Sequence, residues 1–131
     1  MHLDDERWAV ELAVLPGAQA GRVDWARHAV VVDRRLSQVQ RRCTVAHELV
    51  HVERGPVPDD PWLRTREERA VEAEAARRLI ELDALADALA WSDRPAEVAE
   101  ELWVDVQLLG ARVAGLSEGE RAWLAERLGE E

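Results

Sequence analysis

Hydrophobic and polar residues first alternate with the period of a strand and then recur with the period of a helix. Within residues 21–33, Val23 and Trp25 alternate with charged neighbours, and a β-branched run follows them. Such alternation is typical of half-buried strands. We therefore expect a hairpin here, with its turn near Arg27 and His28.

Helix signals occupy most of the remaining chain. Ser37 is followed three residues later by Gln40, the capping-box spacing that marks a helix start, and Gly55-Pro56 supplies a stop signal. We expect a helix from about 38 to Arg54. Further helices are predicted at about 65–90, 96–102, 105–114 and 117–128. A small β segment followed by helices predicts an α+β fold.

Composition limits the class of protein. The 131 residues carry a formal net charge of −10, so phosphate backbones repel the chain. This charge counts against non-specific nucleic-acid binding and favours a basic protein partner, or simply solubility. No run of 18 apolar residues predicts a membrane span, and the beginning of the chain lacks the pattern of a secretory signal. Cys43 is the single cysteine, which excludes an internal disulfide. We therefore expect a cytoplasmic protein without membrane contact.

The predicted helix at 38–54 contains the pattern H-E-x-x-H, formed by His47, Glu48 and His51. At about 100° per residue the two histidines share one face, one turn apart, which lets two imidazoles chelate one metal ion. In this motif the glutamate is not a ligand; it takes a proton from the attacking water. The alternative is a surface helix with solvated side chains, but the apolar residues around the motif indicate a packed helix. The pattern predicts a Zn²⁺ site with Glu48 as the base.

A catalytic zinc site of this kind needs a third protein ligand. The second predicted helix and the loop before it are rich in carboxylates, and a helix packed beside 38–54 would bring one of them to the histidines. The candidates are Glu67, Glu68, Glu72, Glu74, Glu81, Asp59 and Asp60. The spacing alone leaves this choice open.

Two segments, RRCTVAHELVHVERG and EERAVEAEAARRLI, resemble the ImmA/IrrE-type metallopeptidases, in the compact version found in actinobacterial phages and their hosts. The resemblance extends from about Leu15 to about Leu116. In that family a glutamate in an E-x-E-A-N or E-A-x-A-D pattern completes the zinc site, which implies Glu72 in this role. Ala76 stands where the family often has Asn or Asp to orient a ligand histidine, so Glu74 stays open as the alternative ligand.

The resemblance implies a zincin-like fold, with a small sheet or hairpin packed on the H-E-x-x-H helix. We expect a metallopeptidase core at 1–91 and a helical C-terminal module at 92–131 that resembles a helix-turn-helix. The implied function is zinc-dependent cleavage of a helix-turn-helix repressor, in phage or mobile-element immunity or in stress regulation. The alternative is a zinc-binding anti-repressor that acts by protein contact without proteolysis.

The C-terminal module is expected to pack on the core or to dock the protein substrate, not to read DNA. Residues 96–131 carry nine acidic and three basic side chains, a net charge of −6. A helix that reads DNA favours the opposite sign. Direct nucleic-acid binding is therefore not expected.

Three further features have two interpretations each. Cys43 shares the face of His47 and is either a small buried hydrophobe or a fourth metal ligand. His28 is either a solvated turn residue or a group that stabilises an oxyanion. The strand at 29–32 is either a core strand or an edge strand that aligns a substrate backbone.

Overall fold

The chain folds into a small sheet followed by helices, which confirms the α+β prediction. The computed structural model describes residues 8–129. Within this range, no helix is long and apolar enough to cross a membrane. One compact unit ends at Val71 and a second begins at Glu72; the division predicted at 91/92 stays a prediction. The elements in chain order are β1 (Ala9–Ala13), β2 (Gly21–Asp24), β3 (Ala29–Asp33), α1 (Gln38–Arg54), α2 (Pro61–Leu79), α3 (Leu82–Trp91), α4 (Pro95–Leu102), α5 (Val106–Ala114) and α6 (Glu118–Arg127).

The first unit is built on a three-stranded sheet of order β1-β3-β2. β3 lies in the middle, parallel to β1 and antiparallel to β2, and each of its residues is buried. It is therefore a core strand, and β2 is an edge of the sheet. β2 and β3 form the predicted hairpin, with loop 25–28, in which His28 adopts a positive φ of 51°.

The register of the hairpin decides which backbone groups β2 presents at its open edge. The Asp33 N–H donates a hydrogen bond of 2.8 Å to the Ala20 carbonyl. In an antiparallel pair the hydrogen-bonded positions alternate, so every second residue from Ala20 onward bonds to β3. The N–H and C=O groups of Gly21 and Val23 therefore point away from β3, toward the open edge.

A buried carboxylate holds the turn from β3 to α1. Asp33 accepts hydrogen bonds from the Leu15 N–H at 3.0 Å, and from the backbone N–H and the guanidinium of Arg35. These bonds, above all those from the Arg35 side chain, hold the pKa of Asp33 well below its ordinary value. The charged carboxylate thus ties the segment after β1 to the segment that leads into α1.

α1 begins and ends where the sequence predicts. The Ser37 side chain accepts a hydrogen bond from the Gln40 N–H, and the Gln40 side chain accepts one from the Ser37 N–H. Gly55 ends the helix at a φ of 95°, a conformation that favours glycine. The apolar side of α1 packs against the sheet, which confirms the predicted packing on the H-E-x-x-H helix. This cluster contains Val30, Val32 and Val52, with Trp8, Val23, Leu36, Val45 and Leu49 around them.

The second unit is formed by the end of α2 and by α3 to α6, and one prediction about it is wrong. The single helix expected at 65–90 is two helices, because Glu81 adopts an extended backbone with φ −70° and ψ 149°. Helix propensity favours continuity here, but tertiary contacts override it. Ile80 is fully buried, and its carbonyl accepts a 2.8 Å hydrogen bond from Arg112 Nε. The last three predicted helices are confirmed as α4, α5 and α6.

Candidate metal centre

α1 presents its two histidines to one carboxylate. The imidazole rings of His47 and His51 have centroids 4.9 Å apart. Their Nε2 atoms lie 3.2 and 3.0 Å, respectively, from the same oxygen, Glu68 Oε1. One ligand atom from each residue lies within 4.8 Å of the other two. The three side chains therefore form a group that can hold one metal ion.

The start of α2 determines which carboxylate reaches the histidines. Asp60 Oδ1 accepts hydrogen bonds from the N–H groups of Trp62 and Leu63, at 2.9 and 3.1 Å, and Pro61 is the first helical residue. A capping aspartate followed by proline is a strong start signal. Because α2 begins about one turn before the predicted 65, Glu68 lies at the depth in the helix that Glu72 would occupy if the helix began at 65. The Asp60-Pro61 pair is the sequence signal that would have indicated this.

An ion pair fixes α2 beside the end of α1. Arg54 Nε and Nη2 donate hydrogen bonds to the Glu67 carboxylate at 2.5 and 2.9 Å, a bidentate geometry that is strong and directional. The hydrogen bonding from Arg54 lowers the pKa of Glu67. Since Glu67 directly precedes Glu68, this pair holds the neighbouring carboxylate at the histidines.

The three donors fit a divalent cation of the zinc type. Zinc binds imidazole nitrogen and carboxylate oxygen at about 2.0–2.2 Å, so two ligands at a tetrahedral angle lie about 3.4 Å apart. The observed separations of 3.2 and 3.0 Å are close to this value. All three ligand atoms lie within 4.8 Å of one another, so the group is compact enough for its members to bind one ion.

The two ring nitrogens of His51 differ in their surroundings: Nε2 contacts Glu68 Oε1 at 3.0 Å, whereas Nδ1 is held by packing. The side chain of His51 is buried, and its Nδ1 atom has no hydrogen-bond partner among the residues that the structure describes. Metal-bound histidines usually donate this second ring N–H to a carboxylate or a carbonyl. His51 therefore lacks that outer contact within residues 8–129.

Glu48 lies beside the donor group and is buried, with 9% of its surface exposed. Burial raises its pKa above the ordinary value for glutamate, and the neighbouring His47 and His51 partly oppose this shift. An elevated pKa brings a carboxylate closer to neutral pH, where a general base works best. Its burial and position suit Glu48 for proton transfer.

The candidate centre opens into a cleft of about 530 Å³. The edge strand β2 lines it with Gly21, Arg22 and Val23, and the segment 55–57 after α1 also lines it. This volume lies within the usual range for ligand sites. The cleft therefore brings together the open edge of the sheet and the candidate metal ligands.

The other carboxylates predicted as ligands have different partners. Glu72 Oε2 accepts a 2.9 Å hydrogen bond from Gln107. Glu74 pairs with Arg77 and, at 2.9 Å, with Arg78. Neither belongs to the described donor group. The assignment of Glu72 rests on the resemblance and stays a prediction, whereas the geometry favours Glu68.

The structure shows the surroundings of Cys43 and His28, for which the sequence allows two interpretations each. Cys43 is buried and lies outside the described donor group, which favours its role as a small buried hydrophobe. His28 stacks on Trp8, with ring centroids 5.0 Å apart and an interplanar angle of 21°. His28, in the hairpin loop, is therefore in contact with the aromatic ring of Trp8.

Comparison with known proteins places the chain in a family. Residues 8–114 match the model of the IrrE N-terminal-like domain, a family of peptidases. The protein belongs to this family, which confirms the resemblance. Together with the His47/His51/Glu68 group, this membership indicates a metallopeptidase-type role. No curated protein and no solved structure gave a significant match to the chain.

Gly21 lets the edge strand approach α1 closely. A Cβ atom at this position would lie 2.6 Å from Thr44 Cγ2 and 3.2 Å from Glu48 Cγ. The first separation is far below van der Waals contact, so one of the two elements would have to move. The absence of a side chain at Gly21 thus helps to set the distance between β2 and Glu48.

We expect Gly21→Ala to lower kcat/KM of the peptidase by at least about tenfold, because small displacements of reacting groups are costly. Overpacking should also lower the free energy of unfolding by about 1–3 kcal/mol. Thr44→Ser removes the clashing methyl group, so the double variant should recover most of both losses. Thr44→Ser alone is the control. If the double variant is no better than Gly21→Ala, this contact is not the cause.

Proposed function

We propose that the protein is a zinc-dependent endopeptidase that cleaves a DNA-binding repressor of the helix-turn-helix type. The proposal rests on the convergence of His47, His51 and Glu68, with buried Glu48 beside them. Two histidines and one glutamate form a donor set of catalytic zinc sites in peptidases. Such a set leaves a position open for water.

In this proposal the Nε2 atoms of His47 and His51 and an oxygen of Glu68 hold the zinc ion. When bound, zinc would polarise the scissile carbonyl and make water a stronger nucleophile at neutral pH. We assign Glu68 as the third ligand, in place of Glu72, because Glu68 Oε1 faces both Nε2 atoms at 3.2 and 3.0 Å. The Arg54–Glu67 pair supports this position.

Glu48 is the proposed general base and, afterwards, the general acid. Its carboxylate accepts a proton from the attacking water and returns it to the leaving amine. Both steps favour a pKa close to the working pH, and burial shifts the pKa of Glu48 in that direction. The side chain is not one of the described donors, so it stays available for proton transfer.

The open edge of β2 is the proposed binding surface for the substrate backbone. The N–H and C=O groups of Gly21 and Val23 point away from β3, and both residues line the cleft. An extended peptide can add to such an edge as a further strand. The backbone hydrogen bonds would align the scissile bond with Glu48 for any sequence, so side-chain contacts must supply specificity.

A repressor as substrate is supported by the resemblance and by the charge of the chain. The net charge of −10 repels DNA and attracts basic protein surfaces. Proteins that read DNA carry such surfaces. A repressor substrate also places the reaction in the cytoplasm.

Incubation of the zinc-loaded chain with the repressor encoded beside its gene tests the proposal. We expect two fragments by mass spectrometry, cut at a single bond, and no fragments after treatment with a chelator. His51→Ala is the matched variant, since it removes one proposed ligand. A repressor that stays intact with the zinc-loaded chain would argue against the proposed activity.

A further inference from the structure

We propose that Trp25 forms an apolar subsite that selects a large apolar side chain near the scissile bond. This inference rests on the proposed peptidase function and adds a specificity-determining residue to it. Trp25 directly follows β2 and lines the same cleft as His51 and Glu68. With 37% of its surface exposed, part of its indole is open to a ligand.

The edge of β2 leads a bound peptide toward Trp25. Gly21 and Val23 present backbone groups at the open edge, and Trp25 follows the end of the strand as the first residue of the loop 25–28. Side chains of alternate residues lie on one face of a strand, and Val23 packs in the cluster between the sheet and α1. A peptide paired with Gly21 and Val23 would therefore meet the indole at the end of the strand.

The loop that holds Trp25 is fixed by several contacts. Trp8 packs edge-on against Trp25, with centroids 5.5 Å apart, and stacks on His28. Arg27 donates hydrogen bonds of 2.6 and 2.7 Å to the Glu11 carboxylate on β1. A binding surface that is already ordered loses little conformational entropy when a ligand binds. Trp25 is thus preorganised as a binding surface.

The surroundings of Trp25 favour an apolar side chain over a charged one. Pro56 and Val57, which follow α1, line the same cleft and add apolar surface to that of the indole. A tryptophan face alone can also attract a cation, but the two carboxylates that line this cleft, Glu48 and Glu68, are already assigned to proton transfer and to the metal. The chemistry therefore points to leucine, methionine or phenylalanine in the substrate.

Cleavage of a peptide library by the zinc-loaded chain tests this subsite, with the cleavage sites read by mass spectrometry. We expect the wild type to prefer large apolar residues at one position by about 10–200-fold in kcat/KM, the range for apolar pockets. Trp25→Ala should lose this preference mainly through KM while keeping its zinc content. Trp123→Ala is the matched control, because Trp123 is also 37% exposed and does not line the cleft.

The possible results distinguish a failure of the Trp25 subsite from a failure of the proposed peptidase function. A preference that survives in Trp25→Ala, or a wild-type preference for basic residues, overturns the subsite and leaves the peptidase in place. A zinc-loaded wild type that cleaves neither the library nor the repressor overturns the proposed function and the subsite with it. If Trp25→Ala loses zinc or unfolds at a lower temperature than the wild type, Trp25→Phe is tested in its place. An apolar preference that Trp25→Phe retains supports the subsite, and a preference that it loses overturns the subsite.

Discussion

Glu48→Gln is expected to abolish cleavage while the metal stays bound. Glutamine keeps the size of the buried side chain but accepts no proton, and general base catalysis contributes about 10²–10⁴-fold. We therefore expect kcat to fall by at least about 100-fold. Glu48 lies outside the described donor group, so the zinc content measured by mass spectrometry should match that of the wild type.

The same variant distinguishes the peptidase from an anti-repressor that acts by contact alone. In a gel-shift assay with the repressor on its operator, the wild type should release the DNA and leave fragments, and Glu48→Gln should do neither. Release by Glu48→Gln with the repressor intact would favour the anti-repressor. Cleavage by Glu48→Gln at the wild-type rate would rule out Glu48 as the base.

Glu68→Ala is expected to weaken zinc binding by at least about 100-fold, since even the loss of an outer-shell partner typically costs about 10–100-fold. Glu68 Oε1 is the oxygen that faces both Nε2 atoms, and its removal leaves two imidazoles as the only proposed protein ligands. Competition with a chromophoric chelator measures the affinity. Glu72→Ala should bind zinc like the wild type.

Glu72 provides a matched comparison because it lies four residues further along the same helix. Its carboxylate accepts a hydrogen bond from Gln107, so Glu72→Gln, which keeps an acceptor there, controls for changes in folding. If Glu72→Ala loses the metal and Glu68→Ala keeps it, the assignment from the resemblance is correct and that from the geometry is wrong.

Local signals made the part of the candidate site on α1 predictable from the sequence. The Ser37 capping box and the Gly55 stop lie next to the helix that they bound. Once that helix is known, the spacing of His47 and His51 alone places both on one face. No distant contact is needed for this inference.

The remaining features depend on contacts between distant residues. Whether Glu68 or Glu72 can reach the histidines depends on where α2 begins, and a shift of one turn exchanges them. The break at Glu81 accompanies a hydrogen bond between Ile80 and Arg112, 32 positions apart. The central place of β3 requires pairing with β1, which periodicity does not reveal. Helix propensity therefore predicted one helix at 65–90. The alternation pattern likewise did not decide whether the strand at 29–32 is a core strand or an edge strand.

X-ray absorption spectroscopy at the zinc edge of the zinc-loaded chain tests the donor group most directly. We expect scattering from two imidazole rings and from oxygen ligands at about 2.0–2.2 Å, and from one ring only in whatever zinc His51→Ala retains. A fully loaded wild type whose spectrum shows no imidazole scattering would mean that His47 and His51 do not bind the ion, and would contradict the proposed centre.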